Sequence, residues 1–325
     1  MKLLVTGGAG YIGSVVAGRL VVAGHEVVVL DNLERGHREA VPPEAELVLA
    51  DLLEVDTVKR TLAGGFDGVL HFAALALVGE SVSHPERYWR VNVGGTLNLL
   101  EAMAGAGVPR LVFSSTCAVY GEPDEVPISE DEPARPINSY GASKLAVDSM
   151  IGHFCGAHGL GAVSLRYFNV AGASAERGED HDPETHLIPN ILRAAMGVNP
   201  YVEIFGTDYP TPDGTAIRDY IHIDDLSDAH LLALAAARPS EHQIFNLGNG
   251  SGFSVREVIA AVQSVTGKDI PTREAPRRPG DPPMLVAASE RIRSELGWKP
   301  RKPGLEQIVA DAWAFAQAHP RGYSK

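Results

Sequence analysis

Six short apolar runs recur through the first half of the chain and are separated by longer segments in which apolar and polar residues mix. The runs predict strands at about residues 3–6, 26–30, 46–49, 68–72, 110–113 and 162–166, and the segments predict helices at about 12–20, 54–63, 88–106 and 140–158. Apolar residues are continuous rather than alternating within the runs, which indicates strands buried on both faces of a parallel sheet. Regular alternation of strand and helix predicts an α/β fold with a doubly wound parallel sheet.

Composition narrows the class of protein. The chain has 325 residues, of which 45% are hydrophobic and 21% charged, as in soluble globular proteins. A net charge of −13 argues against a nucleic-acid partner, because phosphate backbones are bound by clustered Lys and Arg. Cys117 and Cys155 cannot form a disulfide framework. No apolar run reaches the roughly 18 residues of a membrane span, so we expect a cytoplasmic protein without a membrane partner.

A glycine-rich turn follows the first strand. The segment VTGGAGYIG places Gly7, Gly10 and Gly13 between a strand and a helix. Glycine lets the backbone turn sharply and approach a pyrophosphate, and the free N–H groups of the helix point at the same anion. Asp31 ends the second strand, where a carboxylate can bind the adenosine ribose and would repel a 2′-phosphate. The turn predicts a dinucleotide site that prefers NAD to NADP.

The alternating pattern stops after about residue 170, which suggests a second region. The stretch GASAERGEDHDPETH is loop-like, and Pro-rich turns follow at 209–214 and 276–283. We predict a Rossmann-type NAD-binding domain at 1–168 and a smaller C-terminal substrate-binding domain at 169–325, laid over the carboxyl edge of the sheet. The helix IDDLSDAHLLALAAA and the strand IFNLG, within about 215–248, are expected to return to the first domain.

Three residues are candidates for proton transfer. In SYGASK, Tyr140 and Lys144 stand four positions apart and share one helix face. A nearby ammonium favours the phenolate, so we expect a tyrosine pKa lowered from about 10. Thr116 ends the strand FSST, where its hydroxyl could orient a sugar hydroxyl. The alternatives are a surface Tyr–Lys contact and a threonine that bonds its own backbone.

The GxxGxxG spacing together with YxxxK resembles the extended short-chain dehydrogenase/reductase superfamily. The further stretches LDNLERG, HFAA, VNVGGTLNLLEAM, LRYFNVAGA, ETHLIP, IFGTDYPTPDGTAIRDYIHIDDL, FNLGNG and APRRPGD make nearly the whole chain similar to its UDP-glucose 4-epimerase (UDP-galactose 4-epimerase) family. The resemblance implies an enzyme that epimerises C4 of a UDP-hexose through a 4-keto intermediate, with NAD held throughout. It also implies a homodimer in which the helices at 88–106 and 140–158 pair.

The resemblance assigns two sets of contacts. The cofactor contacts are Gly7, Gly10, Tyr11, Ile12, Gly13, Asp31, Asn32, Asp51, Leu52, Phe72, Ala73, Ala74, Asn92, Ser114, Tyr140, Lys144 and Phe168. The substrate contacts are Thr116, Tyr140, Asn169, His186, Leu187, Phe205, Arg218, Arg278, Asp281 and Leu285. Within the second set, Arg218 and Arg278 are the candidate pyrophosphate clamps, because planar guanidinium groups bind phosphate bidentately.

Several residues separate this chain from relatives with other activities. Dehydratases of the superfamily place an acid pair after the threonine, whereas Cys117 and Ala118 stand here, so elimination of water is not expected. Leu285 occupies the position where a Tyr in members of this family excludes N-acetyl sugars and small residues admit them, and leucine is intermediate in size. UDP-N-acetylglucosamine, pentose or uronate substrates therefore stay open, and so do a net NAD(P)-dependent oxidoreductase and a non-catalytic NAD-sensing protein.

Two further features bear on ligands. The run HDPETH offers His181, Asp182, Glu184 and His186, but its loop setting and the absence of a second ligand cluster favour no metal site. The family often has a lysine in the loop after HFA, near the cofactor phosphates. Residues 74–78 read ALALV and contain none, so that cofactor contact is not expected in this chain.

Overall fold

The computed structural model describes residues 1–278 and 281–323. The strands are β1 (Lys2–Thr6), β2 (Glu26–Asp31), β3 (Glu46–Leu49), β4 (Gly68–His71), β5 (Arg110–Thr116), β6 (Gly161–Tyr167), β7 (Asn169–Ala171), β8 (Val202–Phe205), β9 (Ile217–His222), β10 (His242–Leu247), β11 (Gly252–Ser254), β12 (Thr272–Ala275) and β13 (Met284–Leu285). The α-helices are α1 (Tyr11–Val22), α2 (Val55–Leu62), α3 (Val78–Ser83), α4 (Pro85–Tyr88), α5 (Gly95–Ala106), α6 (Ser139–His158), α7 (Leu187–Ala195), α8 (Ile223–Ala236), α9 (Val255–Thr266), α10 (Glu290–Leu296) and α11 (Leu305–Ala318).

The main sheet has seven strands in the order β10-β6-β5-β4-β1-β2-β3, and every pairing in it is parallel. The predicted doubly wound parallel sheet is confirmed. Strand order reverses between β1 and β4, so the turns that follow these two strands lie side by side at the carboxyl edge. In open α/β sheets this crevice is where ligands bind.

Both faces of the sheet are covered, which explains the continuous apolar runs. Leu3 and Val5 of β1 pack on one face with α1 and α8, whereas Leu4 packs on the opposite face with α2, α5 and α6. All three side chains are completely buried. Successive strand residues point to opposite faces, so a strand buried on both faces has a nearly continuous apolar run instead of an alternating pattern.

A second group of elements lies beyond residue 168. Strands β7, β9, β11 and β13 form a small mixed sheet, β8 pairs with β12, and α7, α9 and α11 enclose a separate apolar core. The segment 172–186 contains no helix or strand. Strand β10 joins the main sheet and α8 packs on it. The division of function between 1–168 and 169–325 stays a prediction.

Two elements differ from their predicted extents. Strand β5 continues through Ser114, Ser115 and Thr116, which are polar yet almost fully buried. The predicted helix at 88–106 is interrupted by a π-helical turn at Trp89–Gly94 before α5 begins. Asn92 in that turn accepts from Leu75 N at 2.8 Å and donates to Leu75 O at 3.0 Å. Its side-chain amide thus satisfies both backbone groups of Leu75, as a neighbouring strand would.

None of the helices in the described part of the chain combines the length and the apolar character needed to cross a membrane.

Candidate active site

The glycine turn after β1 leaves no room for a side chain at Gly7 or Gly13. Gly7 has φ +70°, and a Cβ there would lie 2.5 Å from Ala73 N, the backbone that follows β4. A Cβ on Gly13 would lie 2.2 Å from Gly7 O. Helix α1 begins immediately afterwards, and its N-cap, Gly10, makes no side-chain hydrogen bond. The first N–H groups of the helix therefore have no acceptor within the helix and are directed at the sheet edge.

Asp31, at the end of β2, organises the same edge. Its Oδ2 accepts from Ala9 N at 3.0 Å and its Oδ1 from Leu33 N at 2.8 Å. Burial raises the pKa of Asp31, while these two hydrogen bonds oppose the rise. Close by, Asn32 Nδ2 donates to Asp51 Oδ2 at 2.8 Å. The carboxylate is thus held in place on the glycine turn, with lone pairs left for a hydroxyl ligand.

The Gly7 turn, the start of α1 and Asp31 together form a cradle that fits a dinucleotide. A pyrophosphate and an adenosine ribose require a backbone turn with glycine at its closest approaches, a helix N-terminus without a side-chain cap and a fixed carboxylate about 20 residues further on. Phe72, Ala73 and Ala74 are half-buried in the adjacent loop, and Leu52 is buried in the apolar cluster against which Ala73 packs. Asn92 is a predicted cofactor contact whose side-chain amide is already hydrogen-bonded within the protein, to the backbone of Leu75 and to Ser143 Oγ at 3.0 Å. That Asn92 contacts the cofactor stays a prediction.

The three candidate proton-transfer residues lie at the carboxyl ends of β5 and β6. Thr116 ends β5 and is in register with Tyr167 of β6. Helix α6 starts at Ser139 and is capped by Asn138, whose Oδ1 accepts from Gly141 N at 2.8 Å. Tyr140 is therefore in the first turn of α6, half-buried, with its hydroxyl beside that of Thr116.

Lys144 is almost completely buried, with 3% of its surface exposed. Its Nζ donates to Ser114 O at 2.8 Å and lies 4.7 Å from the centre of the Phe113 ring. Burial lowers the pKa of Lys144 to about 7, against the attraction of Asp148. The side chain of Ser114 is hydrogen-bonded to the hydroxyl of Tyr167, so the lysine is held among polar groups of two strands.

The expected lowering of the tyrosine pKa is wrong for this state of the protein. Burial raises the pKa of Tyr140 to about 12, and the Thr116 hydroxyl only partly opposes that rise. The physical reason is that removing a phenolate from water costs more than its polar neighbours return. With Lys144 itself at a pKa of about 7, an ammonium is only partly present at neutral pH.

An apolar group adjoins Thr116. Cys117, Phe168 and Leu285 pack together with the buried side chains of Val119, Tyr120 and Ile128. Burial raises the pKa of the Cys117 thiol to about 12, so it holds its proton at neutral pH and is a poor acid. Leu285 pairs with Arg218 of β9. The structure thus brings Leu285 to the apolar group that follows Thr116.

The predicted phosphate-binding residues form one cluster. Arg218 Nη2 is hydrogen-bonded to Asp281 Oδ1, and Arg278 Nη2 lies 3.4 Å from Asp281 Oδ2. The Arg278 guanidinium lies 4.9 Å from the centre of the Phe205 ring. One carboxylate therefore bridges both predicted clamps, and one face of the ring expected to hold uracil is covered by Arg278.

The predicted substrate contacts Asn169, His186 and Leu187 lie in β7 and at the start of α7. Asn169 starts β7 and is in register with Tyr220 of β9. Leu187 is the first residue of α7, after His186, whose side chain is 51% exposed. His186 contacts Glu179 and lies 5.4 Å, ring to ring, from His181, which in turn lies 6.4 Å from the Tyr11 ring. His186 is thus linked to the start of α1 through His181.

Sequence reasoning missed Gly141, Ser143 and Tyr167. A Cβ on Gly141 would lie 2.3 Å from Ala118 O, so the first turn of α6 touches the backbone after β5. Ser143 Oγ accepts from Asn92, and Tyr167 is bonded to Ser114. Only the glycine carried a signal, since it stands directly after Tyr140, where a good helix former would be expected.

Comparisons with known proteins agree with this geometry. A UDP-glucose 4-epimerase of Streptomyces lividans is 58% identical over 324 residues, covering 99% of this chain and 98% of the relative. The structure of UDP-glucose 4-epimerase from Brucella ovis in complex with NAD matches with a TM-score of 0.92 and 44% identity, over 96% of this chain and 97% of that one. The structure of UDP-glucose 4-epimerase from Bifidobacterium longum in complex with NAD+ and UDP matches with a TM-score of 0.94 and 35% identity, over 99% of this chain and 100% of that one.

The resemblance inferred from the motifs is confirmed. The profile of the NAD dependent epimerase/dehydratase family matches residues 3–248. The chain belongs to the NAD dependent epimerase/dehydratase family.

Proposed function

We propose that this enzyme epimerises C4 of a UDP-hexose, interconverting UDP-glucose and UDP-galactose with NAD as a retained cofactor. The observation that carries the proposal is the meeting of Thr116, Tyr140 and Lys144 at the same sheet edge as the Gly7 turn. Full-length similarity to UDP-glucose 4-epimerases supports the substrate class. Such an activity serves galactose metabolism or nucleotide-sugar supply.

Tyr140 is the proposed base. It takes the proton of the 4-hydroxyl as the C4–H bond breaks, and it returns the proton after the 4-keto sugar has presented its other face. The Thr116 hydroxyl, beside that of Tyr140, orients the reacting oxygen. When bound, NAD supplies reversible hydride acceptance and a positive charge that favours the phenolate. The raised pKa of Tyr140 means that ionisation depends on that added charge.

Neither of the two residues that follow Thr116 supplies the acid that elimination requires. Cys117 keeps its proton and Ala118 has no acidic group. A 4-keto sugar is therefore not dehydrated and can only be reduced again. Return of hydride to the opposite face gives epimerisation without net redox change.

We assign the UDP moiety to the Arg218–Asp281–Arg278 cluster. Guanidinium groups would bind the diphosphate, the Asp281 carboxylate would accept from a ribose hydroxyl, and Phe205 would pack on uracil. Asn169, His186 and Leu187 would contact the sugar-diphosphate. In this scheme the predicted NAD-binding domain, 1–168 with α8 and β10, faces a nucleotide-sugar-binding domain formed by the remaining residues of 169–325.

We further propose a cytoplasmic homodimer. Cys117 and Cys155 are both free thiols, which suits a reducing compartment. Trp89 is 45% exposed and Leu97 is 38% exposed on the helical segment predicted to pair across the dimer axis. Light scattering of Leu97→Asp should show a lower mass than wild type; an unchanged dimer would contradict this interface.

The test of the activity is incubation with UDP-galactose, UDP-N-acetylgalactosamine and UDP-xylose in turn, followed by product identification. We expect UDP-glucose from UDP-galactose, without a stoichiometric change in nicotinamide absorbance. Such a change would indicate a net oxidoreductase. Absence of any conversion would reject the epimerase proposal and favour an NAD-sensing role.

UDP-N-acetylglucosamine is the second candidate substrate. Leu285 is only half-buried and is smaller than the Tyr that closes this pocket in restrictive relatives. Conversion of the N-acetylated sugar in the same experiment would establish it.

A further inference from the structure

Four side chains of the loop between β7 and α7 converge on one point. They belong to Glu179, His181, Glu184 and His186, and one potential ligand atom from each lies within 4.8 Å of all the others. The sequence offered Asp182 as a candidate instead of Glu179. In the folded loop the Asp182 carbonyl receives a hydrogen bond from Arg35, and Glu179 takes the fourth place in the cluster.

The distances between these potential ligand atoms are close to those around a tetrahedrally coordinated ion. His181 Nδ1 lies 3.1 Å from Glu179 Oε1, and His186 Nδ1 lies 3.6 Å from Glu184 Oε1. Ligand bonds of about 2.0–2.2 Å to zinc place neighbouring donor atoms about 3.3–3.6 Å apart. His186 Nδ1 also contacts Glu179 Oε1, so a small outward movement of these two side chains would make room for the ion.

Both carboxylates are buried, and their basic partners are histidines. The side chains of Glu179 and Glu184 are only 7% and 1% exposed. Within residues 1–278 and 281–323, no Lys or Arg forms an ion pair with either, and the imidazoles of His181 and His186 are their partners. Two buried carboxylates side by side repel each other, which a divalent cation would relieve.

The cluster lies on the predicted cofactor cradle. His181 packs edge-on against Tyr11, the first residue of α1, and Tyr11 OH donates to Gly172 O at 2.7 Å. His37 Nε2 contacts Asp180 O at 3.0 Å. An ion bound here would fasten the segment 172–186 between the start of α1 and the start of α7.

We propose that Glu179, His181, Glu184 and His186 bind one Zn²⁺ as a structural ion. Two imidazoles and two carboxylates suit zinc, whereas Mg²⁺ and Ca²⁺ prefer oxygen ligands alone. Four protein ligands close the coordination shell, so the ion does not take part in the epimerisation chemistry. Its role is to hold the loop against the cradle.

The first experiment uses the wild-type protein. After chelator treatment and dialysis, the protein is titrated with ZnCl₂ or MgCl₂ while the thermal midpoint and the bound metal are measured. We expect one equivalent of Zn²⁺ and a rise in the midpoint with zinc alone. Bound Co²⁺ should show the visible absorption of a tetrahedral site. No zinc retention, or equal shifts with zinc and magnesium, would overturn the proposal and leave the cluster as a hydrogen-bonded ion-pair network.

Variants assign the ligands. His181→Gln should weaken Zn²⁺ binding by at least about 100-fold, more than the loss typical of an outer-shell partner. Asp182→Asn, in the same loop but outside the cluster, should bind zinc like wild type. Equal zinc affinity in His181→Gln and wild type would contradict the assignment. The wild-type titration tests zinc binding even if a variant fails to fold. Neither the bound metal nor the thermal midpoint depends on epimerase activity.

Discussion

Gly141 of α6 meets the backbone of Ala118 directly, because a Cβ at Gly141 would lie 2.3 Å from Ala118 O. This contact sets the first turn of α6, with Tyr140, against the turn that follows Thr116. The same helix is fastened one turn later, where Lys144 Nζ donates to Ser114 O at 2.8 Å. Two strand-end contacts therefore fix the position of the proposed base.

Replacing Gly141 tests that positioning. Gly141→Ala should displace the first turn of α6 and lower kcat at least tenfold, since a misplacement of about 1 Å can cost about 100-fold in rate. Gly156→Ala is the matched control, because it lies in the same helix with nothing within 4 Å of the added Cβ. It should keep the rate and stabilise the fold by about 0.4–1 kcal/mol. Equal rates for the two variants would contradict a positioning role.

Tyr140 should account for proton transfer. Tyr140→Phe should lower kcat by about 10²–10⁴-fold with little change in KM or thermal midpoint, because only the hydroxyl is lost. Tyr201, whose ring lies against the Arg273 guanidinium at 4.3 Å, provides the control. Tyr201→Phe should retain wild-type UDP-galactose conversion. A Tyr140→Phe enzyme with near wild-type rate would remove Tyr140 from the mechanism.

The buried lysine should make stability depend on pH. Lys144 has a pKa of about 7 in the fold against 10.5 when unperturbed. Between these values the unfolded chain binds a proton that the folded chain does not, so the free energy of unfolding rises with pH. Cofactor-stripped wild type should gain up to about 1.4 kcal/mol per pH unit relative to Lys144→Met between pH 7.5 and 9.5.

Urea unfolding at several pH values measures that difference. Lys59, exposed on α2, is the control, and Lys59→Met should follow the wild-type pH dependence. Parallel curves for wild type and Lys144→Met would show that the pKa of Lys144 is not lowered.

Arg218 should contribute mainly to substrate binding. Arg218→Lys keeps the charge but loses the planar guanidinium, which donates to Asp281 and to Ile217 O and which we propose binds the diphosphate. Loss of a charge-assisted hydrogen bond of about 1.5–3 kcal/mol predicts a KM for UDP-galactose about 10- to 100-fold higher. Arg256→Lys, at an exposed ion pair with Glu274, should leave KM unchanged. An unaltered KM in Arg218→Lys would place the diphosphate elsewhere.

Leu285 should control the sugar substituent. It packs beside Cys117 and Phe168, so its size sets the room next to Thr116. Leu285→Tyr should reduce kcat/KM for an N-acetylated UDP-sugar at least tenfold relative to UDP-galactose, and Leu285→Ala should change the ratio in the opposite direction. Initial rates with both substrates measure it. A ratio that is the same in all three proteins would show that the substituent lies away from Leu285.

Local rules determined a large part of this protein from its sequence alone. Strands buried on both faces of a parallel sheet give nearly continuous apolar runs, and Gly7 and Gly13 stand where a Cβ would collide with backbone. The sheet and the Gly7 turn could therefore be predicted. The pairing of Tyr140 with Lys144 on one helix face follows from helix periodicity.

Tertiary structure alone decided the electrostatics and the long-range contacts. The pKa of Tyr140 rises rather than falls because burial, which sequence spacing does not report, outweighs its neighbours. The closeness of Gly141 to Ala118, the bridge from Asp281 to both arginines and the entry of Glu179 into the histidine cluster depend on where separate segments meet. Periodicity describes one segment at a time, whereas desolvation and convergence of side chains are properties of the packed chain.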